Sequence, residues 1–137
     1  MAMYEWDEKF SVNVIEIDRH HQKLFELMNS LHEACKGGDA DAAVFPIMKR
    51  LSEYTIYHFE KEEEMMAKAN YVDLPAHKVA HKAFIATIDD FIEEAEKPGM
   101  AIFVVSKVMS TGVAWLKEHI LGMDKKYSQA MNVSGIR

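Results

Sequence analysis

The chain has 137 residues, 49% of them hydrophobic and 28% charged, which is the length and balance of one globular domain and not of a disordered tail. A net charge of -6 is unfavourable for nucleic acid, because phosphate binding needs clustered Lys and Arg. No apolar run approaches the ~20 residues that cross a bilayer, and the N-terminal stretch carries Glu5, Asp7 and Glu8 with no apolar export signal, so neither a membrane nor secretion is expected.

Residues 1–17 read as an arm. Trp6, Phe10, Val12, Val14, Ile15 and Ile17 are apolar but follow no sustained helical period, so the arm is expected to lie extended and pack on the body. Asp18 is placed to cap a first helix, in which Leu24, Phe25, Leu27, Met28, Leu31 and Ala34 recur at three- and four-residue spacing until Gly37-Gly38 ends it. Cys35, at the end of that helix, is the only cysteine, so no internal disulfide forms and a reducing cytoplasm is the natural setting. A second helix, from about Asp39 to about Ala69, turns Val44, Ile47, Met48, Leu51, Tyr54, Thr55, His58 and Met65 inward and holds Pro46 early enough to tolerate it. After the turn Asn70-Tyr71-Val72-Asp73, a third helix is capped by Asp73 and takes Pro75 in its first turn. It carries His77, Val79, Ala80, His81, Phe84, Ile88, Phe91 and Ile92 to a stop at Lys97-Pro98-Gly99. A fourth starts near Met100, runs through Val104, Val108, Gly112, Trp115, Leu116, His119 and Ile120, and ends within 122–130. Four amphipathic helices on short turns specify an all-α, antiparallel up-down four-helix bundle over residues 18–137, one domain with the arm packed on it.

In such a bundle the start of one helix lies beside the end of the next. His21, His58, His77, His81 and His119 then all fall at the same end. His77 and His81 are four apart, only about 40° around a helix, and so are His58 and Glu62. Asp124 follows His119 by five, a divergence of about 140° on an ideal helix, so both reach one site only if the helix loosens or ends, for which Gly122 is well placed. A lone inward histidine is more often a satisfied core residue. Five imidazoles and two carboxylates gathered on four facing helices are explained most economically by metal, since their burial is otherwise costly.

Seven side chains are too many for one zinc ion but suit two octahedral ions bridged by both carboxylates. Five histidines, two bridging carboxylates and one bridging oxygen fill eleven of about twelve positions, leaving one open for a small ligand on the ion with fewer histidines. Nitrogen-rich ligation favours iron over magnesium or calcium. The Glu-x-x-His motif of carboxylate-rich di-iron enzymes is absent from the candidate ligands.

The ordered pattern His21, His58-x-x-x-Glu62, His77-x-x-x-His81, His119-x-x-x-x-Asp124 resembles the hemerythrin family in its single-domain bacterial form. Ile17-Asp18 before His21, Tyr57-His58-Phe59 before Glu62-Glu63, and Trp115-Leu116 before His119-Ile120 add to the likeness, which covers nearly the whole chain. The resemblance implies a non-haem di-iron centre with an oxo or hydroxo bridge, which binds molecular oxygen reversibly. His77, His81 and His119 would hold one iron, His21 and His58 the other, and Glu62 and Asp124 would bridge. By position relative to these ligands, Leu24, Met28, Phe59, Trp115, Leu116 and Ile120 would line the oxygen pocket; a plain core role is compatible with that.

His20 and His21 point about 100° apart, so His20 is expected at the rim or in solvent. His32 reads as a surface or packing residue. Of the acidic run Glu60 to Glu64, only Glu62 is expected to turn inward. The leading expectation is a monomeric carrier, store or deliverer of oxygen that is not itself an enzyme and serves an oxygen-requiring one. The competing readings are a di-iron peroxidase, a reductase of oxygen or nitric oxide, and an oxygen or redox sensor. Catalysis would want a proton donor in a pocket that reads as apolar, and a sensor would want an output domain.

Overall fold

The structure, a computed structural model, describes residues 5–137; residues 1–4, the start of the arm, lie outside the described residues. Its long helices are α1 (Ile15–Ala34), α2 (Ala40–Lys68) and α3 (Leu74–Ala95). A fourth rod is built from α4 (Ala101–Lys107), a π-turn (Val108–Gly112), α5 (Val113–Gly122), a 3-10 turn (Asp124–Tyr127) and α6 (Ser128–Val133). No strand occurs among the described residues, and the rods pack as an up-down four-helix bundle around Leu31, Val44, Met48, Leu51, Val104, Ile120 and their neighbours. None of these helices is long and apolar enough to cross a membrane.

The arm is shorter and less extended than the sequence suggests. It contains a 3-10 turn at Glu8–Phe10, and Ile15 and Ile17 belong to α1. Phe10, Val12 and Val14 are buried, with the Phe10 ring 5.5 Å from that of Phe25. Asp18 lies inside the first turn of α1 and does not cap it. Its carboxylate accepts from the Ser11 hydroxyl at 2.6 Å and the Val12 amide at 2.9 Å, so the acid fastens the arm to the helix. At the other end of the chain, the Ser128 hydroxyl donates to the Val12 carbonyl at 2.6 Å and Asn132 donates to the Asn13 carbonyl at 3.0 Å. Asn13 adopts φ 59°, a left-handed conformation that Asn tolerates, and this turns the chain from arm into helix.

Asp39 caps α2 through the Ala42 amide at 3.2 Å. Asp73 flanks α3 but offers its carbonyl, not its side chain, to the His77 amide. Met66 is fully buried where Met65 is half-buried, and Val79 is exposed. The π-turn adds a residue to one turn of the fourth rod, and the Ser110 hydroxyl satisfies the loosened carbonyls of Ser106 and Lys107. Val104 and Val105 before it, Val108 at its start, and Val113, Leu116 and Ile120 after it are all buried.

Candidate metal centre

Each long rod delivers part of one buried cluster. α1 places His21, α2 His58 and Glu62, α3 His77 and His81, α5 His119, and the 3-10 turn Asp124. All seven predicted ligands are at most 5% exposed. The five-residue step from His119 to Asp124 is accommodated as the spacing requires: α5 ends at Gly122, Met123 leaves helical geometry at φ -116°, and the 3-10 turn swings Asp124 inward.

The two carboxylates divide the histidines into two groups. Oε1 of Glu62 lies 2.9 Å from His81 Nε2 and 3.3 Å from His77 Nε2, while Oε2 lies 3.3 Å from His58 Nε2 and 3.7 Å from His21 Nε2. Asp124 repeats the split. Oδ1 lies 2.8 Å from His77 Nε2 and 3.0 Å from His119 Nε2, and Oδ2 lies 3.1 Å from His21 Nε2. Ligand atoms of Glu62, His77, His81, His119 and Asp124 all lie within 4.8 Å of one another, as do those of His21, His58 and Glu62.

Behind the ligands stand residues that the sequence reading did not assign. The Tyr127 hydroxyl, fully buried, donates to Glu62 Oε2 at 2.8 Å. Glu63 is also turned toward the site, against expectation, with Oε2 2.8 Å from His81 Nδ1. His20 is neither at the rim nor in solvent. It is 6% exposed, in the seam between α1 and α2, with Nδ1 2.9 Å from His58 Nδ1. Phe59 stacks on His81 at 3.7 Å, and Trp115 stacks on His119 at 4.4 Å and on Phe84 at 3.9 Å, so both rings wall the three-histidine group. Leu24, Met28, Phe59, Leu116 and Ile120 are buried, and Trp115 is half-buried.

Burial opposes charge throughout the cluster, yet mutual pairing wins at four groups. Against burial, the Glu62 carboxyl is held well below its usual range by the imidazoles of His58, His21 and His77 packed against it. Asp124 is held low against burial and the Glu62 charge by the imidazoles of His119, His21 and His77 beside it. Despite burial, those carboxylates raise His21 and His77 to about 9. Burial lowers His58, and burial with the neighbouring His58 and His21 lowers His20 to about 4. Two carboxylates thus face imidazolium at His21 and His77.

Charge pairing does not satisfy the atoms. Both ring nitrogens of His21, Nε2 of His81, Oε1 of Glu62 and Oδ2 of Asp124 are buried without a well-formed hydrogen bond. Nε2 atoms of His77 and His119 face each other at 3.1 Å, where at most one can carry a hydrogen. Lone pairs converging on common points, with carboxylates spanning between, fit a pair of cations.

The fold and this donor set define a four-helix protein with a buried, histidine-rich cluster whose two carboxylates lie between two groups of histidines. Residues 13–131 match the family model described as the Hemerythrin HHE cation binding domain, and the chain belongs to the hemerythrin family. It is 33% identical over 129 residues to a bacteriohemerythrin of Clostridium acetobutylicum, covering 91% of this chain and 98% of that one. It is 34% identical over 124 residues to a myohemerythrin of Riftia pachyptila, covering 90% of each. A wild-type hemerythrin crystal structure superposes with a TM-score of 0.78 at 27% identity, covering 95% of this chain and 98% of that one. The likeness to bacteriohemerythrin runs over most of the chain.

Proposed function

We propose that this chain binds molecular oxygen reversibly at a non-haem di-iron centre, for oxygen carriage, storage or delivery to an oxygen-requiring enzyme, and performs no turnover of its own. The observation that carries the reading is the division of labour within Glu62 and Asp124, each of which sends one oxygen toward His77 and its neighbours and the other toward His21. Three histidines gather on one side and two on the other, so equal cations would be left unequally coordinated, with room for one small ligand on the two-histidine side. Iron bound here supplies the reversible redox chemistry that oxygen uptake requires.

The protein's part is to hold and to exclude. Tyr127 fixes Glu62 from behind, and Glu63 orients His81. Leu24, Met28, Leu116 and Ile120, with Phe59 and Trp115 against the three-histidine group, are proposed as the walls of the oxygen pocket. These side chains are apolar apart from the indole, so they offer little to carry a proton inward, which favours release over reduction. The membership of the hemerythrin family supports the same reading.

An optical spectrum of the iron-loaded protein tests it. The sample is reduced without air, exposed to oxygen, then degassed. A visible charge-transfer band that appears with oxygen and vanishes on degassing is expected. A band that decays irreversibly, with oxygen consumed, sinks the carrier reading in favour of an enzyme or sensor.

A further inference from the structure

We infer that His20 positions His58, accepting the hydrogen on His58 Nδ1 and so fixing the tautomer and ring plane in which His58 Nε2 faces the two-histidine metal position. The inference rests on the ligand assignment above and adds a residue that the ligand pattern does not contain.

Two Nδ1 atoms 2.9 Å apart share one hydrogen, since two N–H groups would collide and two lone pairs would repel. Which ring carries it follows from the metal. A cation takes the lone pair of His58 Nε2, so the hydrogen of that ring sits on Nδ1 and points at His20. His20 then presents a bare Nδ1 inward and carries its own hydrogen on Nε2, which looks outward toward the Glu16 carboxylate at 3.8 Å. The rings of His20 and His58 stand nearly perpendicular, at 88°, so the His20 plane contributes an edge nitrogen and not a face. Tyr54 and Tyr57, with ring centres 5.9 Å and 5.5 Å from that of His20, hold this orientation.

The placement matters because the two histidines of that position are not equally anchored. His21 Nδ1 is buried without a partner, so His58 is the one whose outer nitrogen is held. On the three-histidine side, His81 is held by the Glu63 carboxylate. An anionic acceptor strengthens its histidine as a ligand more than a neutral imidazole does. The two positions therefore differ in ligand basicity as well as in ligand number, and the residue that sets the weaker one is His20.

Zinc-loaded protein carrying nitrogen-15 in its histidines tests the bond directly by NMR. Expected is one imidazole N–H proton whose nitrogen couples across the hydrogen bond to a second imidazole nitrogen. In His20→Asn the side-chain oxygen stands where Nδ1 stood, so the proton persists and the coupling disappears. Zinc titrations add the energetic readout: the Asn variant keeps both positions within about 3-fold of wild type, while the volume-filling His20→Leu weakens one by about 10–100-fold. Absence of the coupling in wild-type protein that holds two zinc ions overturns the inference and leaves the two-cation centre standing. Equal weakening by Asn and Leu, or undiminished binding by Leu, does the same. The coupling measurement needs no variant, so it decides the matter even if His20→Leu fails to fold. Failure of the wild type to take up two zinc ions overturns both readings.

Discussion

At Glu62 one carboxylate meets four imidazoles and a phenol: His21, His58, His77 and His81 approach within 3.7 Å and Tyr127 donates from behind. His77 is as central, because its Nε2 touches both carboxylates and faces His119. His77→Ala is expected to lower tight metal binding below two cations per chain, as counted by metal analysis after desalting; retention of two would count against the ligand set. A pH dependence follows from the same residues. His21 and His77 are raised from 6.5 to about 9, so their pairing stabilises the metal-free fold fully below pH 6.5 and is lost as pH rises through 9. Cations displace those protons, so apparent metal affinity should rise between those limits, with about two protons released per chain at pH 7, read by calorimetry in buffers of different ionisation enthalpy. At this scale the five histidines and Glu62 are legible as candidates because helical spacing puts them on inward faces at one bundle end, and Asp124 because a helix break can bring it there. His20, Glu63 and Tyr127 were not, because each acts on the far side of a ligand and its partner comes from packing. Adjacent side chains 100° apart do point differently, but beside α2 the second direction is also buried.

The fourth rod shows how an element is shaped by what it must deliver. The five-residue step from His119 to Asp124 made a break near Gly122 legible, and the 3-10 turn supplies it. Glycine itself is not required there. Gly122 has no neighbouring heavy atom within 4 Å of an added Cβ and its φ is not left-handed. Gly122→Ala is therefore expected to leave metal stoichiometry unchanged and to stabilise the fold by about 0.4–1 kcal/mol through the unfolded chain, seen as a higher Tm. A lost cation or a lower Tm would mean that the glycine is needed after all. The π-turn at Val108–Gly112 was not legible, since the apolar pattern there fits an ordinary helix with one residue out of phase. Helix α1 begins earlier than its sequence suggests for a related reason. An Asp before a periodic stretch reads as a cap, and here it sits inside the first turn and binds the arm.

For the whole molecule, the loaded cluster is expected to be a larger source of stability than the paired but unsatisfied metal-free one. Among the described residues nine polar or charged side chains are buried, seven of them the candidate ligands. Cations bind the native arrangement and not the scattered ligands of the unfolded chain. At a free concentration of about 1,000 times the dissociation constant each should add about 4 kcal/mol, so two add about 8 kcal/mol, a Tm shift on the order of 25 °C. Thermal melts with and without a chelator check this, and coincident melts would show that the site is not coupled to the fold. The bundle was legible as a whole because each helix announces one apolar face. The bonds of the arm to Ser128 and Asn132 were not, because nothing local relates residues more than 110 apart in sequence.

Those bonds bear on how fast the centre exchanges its contents. Asp124 and Tyr127 immediately precede the segment that Val12 and Asn13 clasp, so the cheapest route for a cation to escape is to unlatch the arm and peel that segment away, leaving the long helices paired. Residence time is then governed by a latch remote from the coordinating atoms. Ser128→Ala should shorten the half-life of metal release into excess chelator by about 5-fold, the kinetic equivalent of one hydrogen bond, while the number of cations held at equilibrium stays the same. The bound metal would leave on the clock of the arm, not on that of the ligands.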